Sequence, residues 1–136
     1  IALAENGYID PVIHVGNLKS LRTFADVRDA VRAYYLLVTC NPIPGEYYNI
    51  GGTHTLEIGE MLDYLVSIST ISNEIKIMVD ANRIRPIDAD LQVPNTSKFE
   101  AHTGWKPQIS FEQTMTDLLN YWRERVNSEG SKFLTR

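Results

Sequence analysis

Several things are scarce in this chain, and each shortage removes a class of function. Cysteine occurs once, at Cys40, so no internal disulfide is available and a reducing compartment, the cytoplasm, is the expected location. Lys and Arg number 13 against 17 Asp and Glu, a net charge of −4, so there is no cationic field for nucleic acid or an anionic membrane surface. Any anion must be gripped by local arginines. No apolar run nears the roughly 20 residues that span a bilayer, and the N-terminus has no signal-peptide layout. His14, His54 and His102 have neither metal spacing nor neighbouring ligands, so no metal site is expected. There is no Gly-x-Gly-x-x-Gly fingerprint and no tyrosine followed four residues later by lysine, and nothing local suggests a Ser–His–Asp set. The chain is expected to hold no catalytic residues of its own.

What is present is the composition of a globular domain: 136 residues, 43% hydrophobic and 22% charged, enough for one domain with a real core. Ile1 to Gly7 reads as the last turns of a helix closed by a C′ glycine, as though the chain opened inside a longer one. Pro11–Val15 reads as a strand. Thr23 with Asp26 suggests a capping box for a helix whose core stripe is Val27, Val31, Tyr34 and Val38, widened by Ala30 and Leu37. Asn41-Pro42-Ile43-Pro44-Gly45 ends it. Tyr47–Ile50 reads as a strand stopped by Gly51-Gly52. A second amphipathic helix begins near Thr55, with Ile58, Met61, Leu62 and Leu65 on one face. Ile75–Val79 is a further strand, and residues 80–94 read as an irregular loop. Asn95 or Thr96 caps a short helix closed by Gly104. Ser110 and Gln113 form a capping box for a last helix with a core stripe of Phe111, Met115, Leu118 and Trp122, followed by a polar tail from Ser128. Strands alternate with helices, so the fold class is α/β or α+β. Three strands are few for this length, as for a lobe completed by strands elsewhere.

Two loops carry chemistry. Gly16 to Arg22 reads as a loop between a strand and a helix, with Arg22 just before the helix N-terminus. A phosphate needs donors in a fork, which arginine supplies and lysine does not, and a helix N-terminus favours an anion. The plain alternative is a surface arginine paired with Asp26 or Asp29, and this loop alone favours that alternative. The second, Asn82-Arg83-Ile84-Arg85-Pro86-Ile87-Asp88, holds two arginines and an acid, with Pro86 pinning the backbone after Arg85. Its alternative is a solvated loop in which Arg83 or Arg85 pairs with Asp88 or Asp90. Other features read blandly. Gly51-Gly52 is too weak for a phosphate loop, Asn95-Thr96-Ser97 reads as a helix cap rather than a glycosylation site, and the stripes holding Tyr34 and Trp122 read as core rather than stacking platforms.

Taken together, the segments resemble a known family. Val15 to Val31 is similar to the segment of extended short-chain dehydrogenases acting on GDP-sugars that carries a Gly-Asn-Leu turn, an arginine and an Asp-Val-Arg-Asp helix start. Gly45 to Gly52 resembles the strand that follows it there. Arg85-Pro86, Thr96-Ser97-Lys98 and Thr103-Gly104-Trp105-Lys106-Pro107 match the ending. The ordered set covers nearly the whole chain and is specific to the NAD-dependent epimerase/dehydratase family rather than to one reaction. Within it the likeness is to the GDP-mannose 4,6-dehydratases and the GDP-4-keto-6-deoxymannose reductases. Asn95 stands where many relatives carry Asp. Arg22-Thr23-Phe24 stands where the dehydratases favour Arg-Asp-Trp, which leaves dehydratase and reductase both open.

The resemblance implies a good deal. Residues 1–136 would be the substrate-binding C-terminal lobe of a Rossmann-type enzyme, including the last helix and strand of the nucleotide-binding sheet at about residues 22–52. The dinucleotide-binding N-terminal half, with its catalytic Ser/Thr, Tyr and Lys and its NADP or NAD, would lie upstream. Arg22 and Arg85 would grip the diphosphate of a nucleotide sugar, a GDP-sugar by preference, with Asn17 and Lys19 as loop contacts. The implied reaction is dehydration at C5/C6 after transient oxidation at C4. Its alternatives are 4-keto reduction or epimerisation, and, from another class, a binding module that has lost catalysis. The complete enzyme would be a homo-oligomer.

Overall fold

The computed structural model of the chain describes residues 1–52, 54–84, 91–130 and 132. It divides into two compact units: Ile1–Ser20, Glu57–Asp88 and Met115–Arg136 form the first, Leu21–Leu56 and Ala89–Thr114 the second.

The first unit opens with α1, Ala2–Glu5. Gly7 takes φ +70°, and the Tyr8 and Gly7 N–H groups donate to Leu3 O (3.0 Å) and Ala4 O (2.9 Å). This pair of hydrogen bonds across a left-handed glycine closes the helix as its sequence predicts. Strand β1, Val12–Val15, pairs in parallel with β2, Lys76–Val79, in the register Val12–Lys76 to Val15–Val79. Helix α2, Ile58–Ser67, starts at a capping box between Glu57 and Glu60. Thr55, the expected start, lies instead in a short strand, β3, His54–Glu57. The long helix α3 spans Phe111–Glu129, and the Gln113 N–H donates to Ser110 Oγ (3.1 Å), the cap its sequence predicts. Its buried apolar residues are Phe111, Met115, Leu119 and Val126, whereas Leu118 and Trp122 are two-fifths exposed. The expected stripe was therefore rotated: Trp122 is not core but lies on an apolar cleft of about 520 Å³, lined also by Leu3, Ile13, Leu65 and Leu119. Ala2, Leu119 and Val126 form the core of this unit, with Leu65 and Ile68 packed against it.

In the second unit, β4, Leu21–Phe24, lies between β3 and β5, Leu91–Gln92, and runs parallel to β5. Helix α4 spans Val27–Thr39 and is capped by Asp26, whose side chain accepts from the Arg28 N–H. The expected Thr23–Asp26 box is absent because Thr23 belongs to β4 and Asp26 is itself the cap. The helix also buries the face opposite to the one its hydrophobic period suggests. Asp29 and Ala33 point inward, and Ala33 joins Phe99 and Trp105 in a core that Leu36, Leu37, Tyr48 and Ile50 flank. Val27, Val31, Tyr34 and Val38 are 60–71% exposed, so Tyr34 is not core. Tyr47–Ile50 is not a strand either. The segment is held through side chains: the Tyr48 ring lies 5.4 Å from the Phe99 ring, and Lys98 donates to the Tyr47 carbonyl (3.1 Å) and pairs with the Glu46 carboxylate. Helix α5, Ser97–Thr103, ends at Gly104 with φ +68°, the glycine stop expected there.

In the first unit Glu5 is the main polar tie. Its carboxylate accepts from Arg123 Nε (2.7 Å) and Nη2 (2.6 Å), from the Ser69 hydroxyl (2.8 Å) and from the Thr70 N–H (2.9 Å). The Arg123 bonds dominate, and with the other donors they outweigh burial and hold the Glu5 pKa at about 2, below its ordinary 4.5. A depressed carboxylate stabilises the fold above its unfolded pKa and loses that contribution as pH falls through the folded value. Stability should therefore drop by about 3 kcal/mol between pH 4.5 and pH 2 through this group. Urea midpoints measured across that range should fall steeply for the native chain and less steeply for Glu5→Gln. Equal slopes would contradict the assignment.

Candidate functional site

The Gly16–Ser20 segment is a fastened loop. The Asn17 Oδ1 accepts from the Lys19 N–H (2.9 Å), and the Asn17 Nδ2 donates to the Ser20 Oγ (2.8 Å). The Leu18 and Ser20 carbonyls accept from the Gly59 (2.8 Å) and Ile58 (3.1 Å) N–H groups at the start of α2. Gly16 faces the backbone of Arg83: a Cβ built there would lie 2.5 Å from the Arg83 oxygen. Arg83 ends a 3-10 turn, Ala81–Arg83, capped by the Asp80 carboxylate, and its Nε lies 3.5 Å from Asp80 Oδ2. The two loops singled out in the sequence thus meet at Gly16 and Arg83. Lys19 is exposed.

Arg22 belongs to the second unit and sits within β4, opposite Gln92 of β5. It is not on the loop and does not directly precede the helix, which starts at Val27. A strand holds a side chain on a fixed face of the sheet, so Arg22 is a more rigid donor than the loop reading implies. Its Nη1 donates to the Leu21 carbonyl (2.8 Å). The carboxylates proposed as its plain partners are engaged by other arginines. Asp26 accepts from Arg28 Nε (2.8 Å) and Nη2 (2.7 Å) and from the Thr114 hydroxyl (2.8 Å), and Asp29 accepts from Arg32 Nη2 (2.6 Å). Of the four proposed residues, Asn17 and Lys19 therefore come together and Arg22 stands in the other unit. Arg85 lies outside the described residues. The sequence reading used Asp26 as the acid of a box with Thr23 and both Asp26 and Asp29 as alternative partners of Arg22, and so missed Asp26 as the helix cap and Asp29 as the tie to residues 108 and 109. An acid directly before a helical stripe was the available signal for Asp26. Asp29 has one local partner, Arg32, three residues on, but its backbone donors, Gln108 and Ile109, lie far along the chain.

Gly51 and Gly52 pack against protein. A Cβ on Gly52 would overlap the Phe24 carbonyl, and one on Gly51 would lie 2.8 Å from Pro94 Cγ. These glycines permit close backbone approach, so the residues here do not fit a dinucleotide cradle. Among the described residues no helix is long and apolar enough to cross a membrane.

A mixed α/β fold with parallel pairs β1–β2 and β4–β5 is that of a portion of an extended short-chain dehydrogenase. Comparison with solved structures supports this directly: RMD from Pseudomonas aeruginosa complexed with NADPH superposes with TM-score 0.79 over 92% of this chain at 27% identity. The chain belongs to the GDP-mannose 4,6 dehydratase family, whose model matches residues 1–118. GDP-6-deoxy-D-mannose reductase from P. aeruginosa is 29% identical over 129 residues, 95% of this chain and 41% of that protein. The dTDP-glucose 4,6-dehydratase of Bacillus anthracis in complex with NAD shares the fold at TM-score 0.66 over 92% of this chain and 38% of that one. The chain spans about two fifths of the length of these relatives. The resemblance carried by the sequence motifs is thereby borne out, as is the use of NADPH or NAD among the family's solved members.

Gly52→Ala should destabilise the protein by about 3 kcal/mol, because the Phe24 carbonyl has no flexible side chain to move aside. Thermal unfolding of the variant checks this. A fully stable variant with weakened nucleotide binding would instead mark Gly51-Gly52 as a ligand loop.

Proposed function

We propose that this chain supplies the substrate-side residues of an enzyme acting on a nucleoside-diphosphate sugar, a GDP-sugar in the first instance. The observation that carries this is the family match across residues 1–118, which contains every proposed site residue. The assigned reaction is dehydration at C5/C6 by way of a transient 4-keto sugar. A second reading, reduction of a 4-keto sugar, is favoured by the likeness to the P. aeruginosa reductase across 95% of the chain. Residues 1–136 would then form the substrate lobe, with about 22–52 contributing the last helix and strand of the nucleotide-binding sheet. The exposed apolar stripe Val27, Val31, Tyr34 and Val38 supports that, since a helix apolar on both faces suits a position between two layers.

Binding and orientation are the chemistry assigned to these residues. Arg22 and Arg85 take the diphosphate, where a guanidinium gives charge-assisted paired bonds, and the loop holding Asn17 and Lys19 lies against the nucleotide. Such bonds are worth roughly 1.5–3 kcal/mol each. No hydride step is assigned to this chain, because its sequence carries no Gly-x-Gly-x-x-Gly fingerprint and Gly51-Gly52 packs against protein.

Arg22→Ala should weaken GDP-mannose binding about ten- to a hundred-fold, with little change in thermal stability, and Arg22→Lys should recover little of the loss. Calorimetric titration and thermal melts of the same variants measure both. A drop in stability with unchanged affinity would overturn the assignment. The purified 136-residue chain should not turn over GDP-mannose with either NAD or NADP.

A further inference from the structure

Several polar groups of the Gly16–Ser20 loop are spent on fastening the loop in place. Both ends of the Asn17 amide are used within it, one by the Lys19 N–H (2.9 Å) and one by Ser20 Oγ (2.8 Å), and Ser20 is 2% exposed. The carbonyls of Leu18 and Ser20 occupy the first two N–H groups of α2, and the Glu57–Glu60 capping box occupies the next. That helix end therefore turns protein acceptors, not ligand, towards its dipole. Gly16 sets the spacing to Arg83, because any side chain there would meet the Arg83 carbonyl, and two residues further along the chain stands Arg85. What the loop offers outward is the exposed Lys19, whose backbone N–H is pinned by Asn17.

We infer that Gly16 and Asn17 are positioning residues for Lys19, and that Asn17 works through Ser20 rather than by touching the nucleotide. The inference rests on the proposed nucleotide-sugar function and narrows it: Lys19 is the loop's ligand contact, and Asn17 is the strut that aims it. A strut and a direct contact differ in how their effects combine. Two residues that act through one shared hydrogen bond are coupled, whereas independent contacts add in free energy.

The test is a double-mutant cycle, Asn17→Ala, Ser20→Ala and both together, on the protein expressed from its complete reading frame. Affinity for GDP-mannose is read by calorimetry, thermal midpoints are read in parallel, and Lys19→Ala and Arg22→Ala serve as further arms. Each single variant is expected to weaken binding about fivefold, as for loss of one ordinary hydrogen bond. The double variant should be no weaker than the weaker single one, and Lys19→Ala should lose at least as much. Losses that multiply in the double variant would mean that Asn17 contacts ligand directly, and so would a loss for Asn17→Ala with none for Ser20→Ala. Either result overturns the inference, as does a lowered midpoint with unchanged affinity in both single variants. If Arg22→Ala still costs tenfold while the loop variants are silent, the positioning role fails and the functional proposal stands. If Arg22→Ala is silent too, both fail.

Discussion

The second unit is organised around one buried carboxylate. Asp29 is 2% exposed and accepts from the Gln108 and Ile109 N–H groups (2.8 and 2.9 Å) and from Arg32 (2.6 Å), while its own carbonyl receives the Trp105 indole N–H (3.1 Å). Residues 104–110 have no helix or strand to satisfy their backbone, and a buried N–H without a partner is costly. Burial alone would raise the Asp29 pKa, but Arg32 and the two backbone donors outweigh it, and the group is held below its usual value. The charge is thus kept, and with it the electrostatic hold on the Trp105 loop. Trp105, Phe99 and Ala33 then close the core beneath.

This interaction also explains which face of α4 is buried. Val27, Val31, Tyr34 and Val38 look like a core stripe by period, yet the inward face is set by Asp29 and Ala33. A fully satisfied carboxylate carries more orienting force than a few valines, because turning it outward would abandon several bonds made at once. Hydrophobic periodicity counts only apolar residues and cannot weigh a polar group whose backbone donors, Gln108 and Ile109, lie far along the chain. The same limit hid the role of Tyr47–Ile50. Its composition is that of a strand, but a strand is defined by a ladder partner, and this segment is held by side-chain contacts to Phe99, His102 and Lys98.

What was legible in the sequence was local and carried its own punctuation. Gly7 and Gly104 stop helices because only a left-handed residue completes those caps, and Ser110 starts one because its hydroxyl reaches an orphan N–H. The strands around Ile13 and Ile77 were legible from β-branched runs, although their parallel pairing was not. For the site, the ordered motifs indicated the family before the geometry did. The loop holding Asn17 and Lys19 is where the sequence placed it, and its meeting with Arg83 could not be read, since it depends on a glycine's missing side chain. Arg22 was misplaced by one element: in the strand Leu21–Phe24, Leu21 and Arg22 were read as loop and Thr23 as a helix cap, because four residues give too short a period to recognise.

The central claim is that a nucleoside-diphosphate sugar binds through Arg22 and the Lys19 loop. The most direct measurement is a titration of the isotope-labelled protein with GDP-mannose, followed through its backbone amide resonances. Saturable shifts concentrated at Leu18 to Thr23, with the Ile58 and Gly59 amides little changed, are the predicted result. Saturable shifts confined to residues remote from that stretch, or no saturable response at millimolar ligand, would contradict the claim.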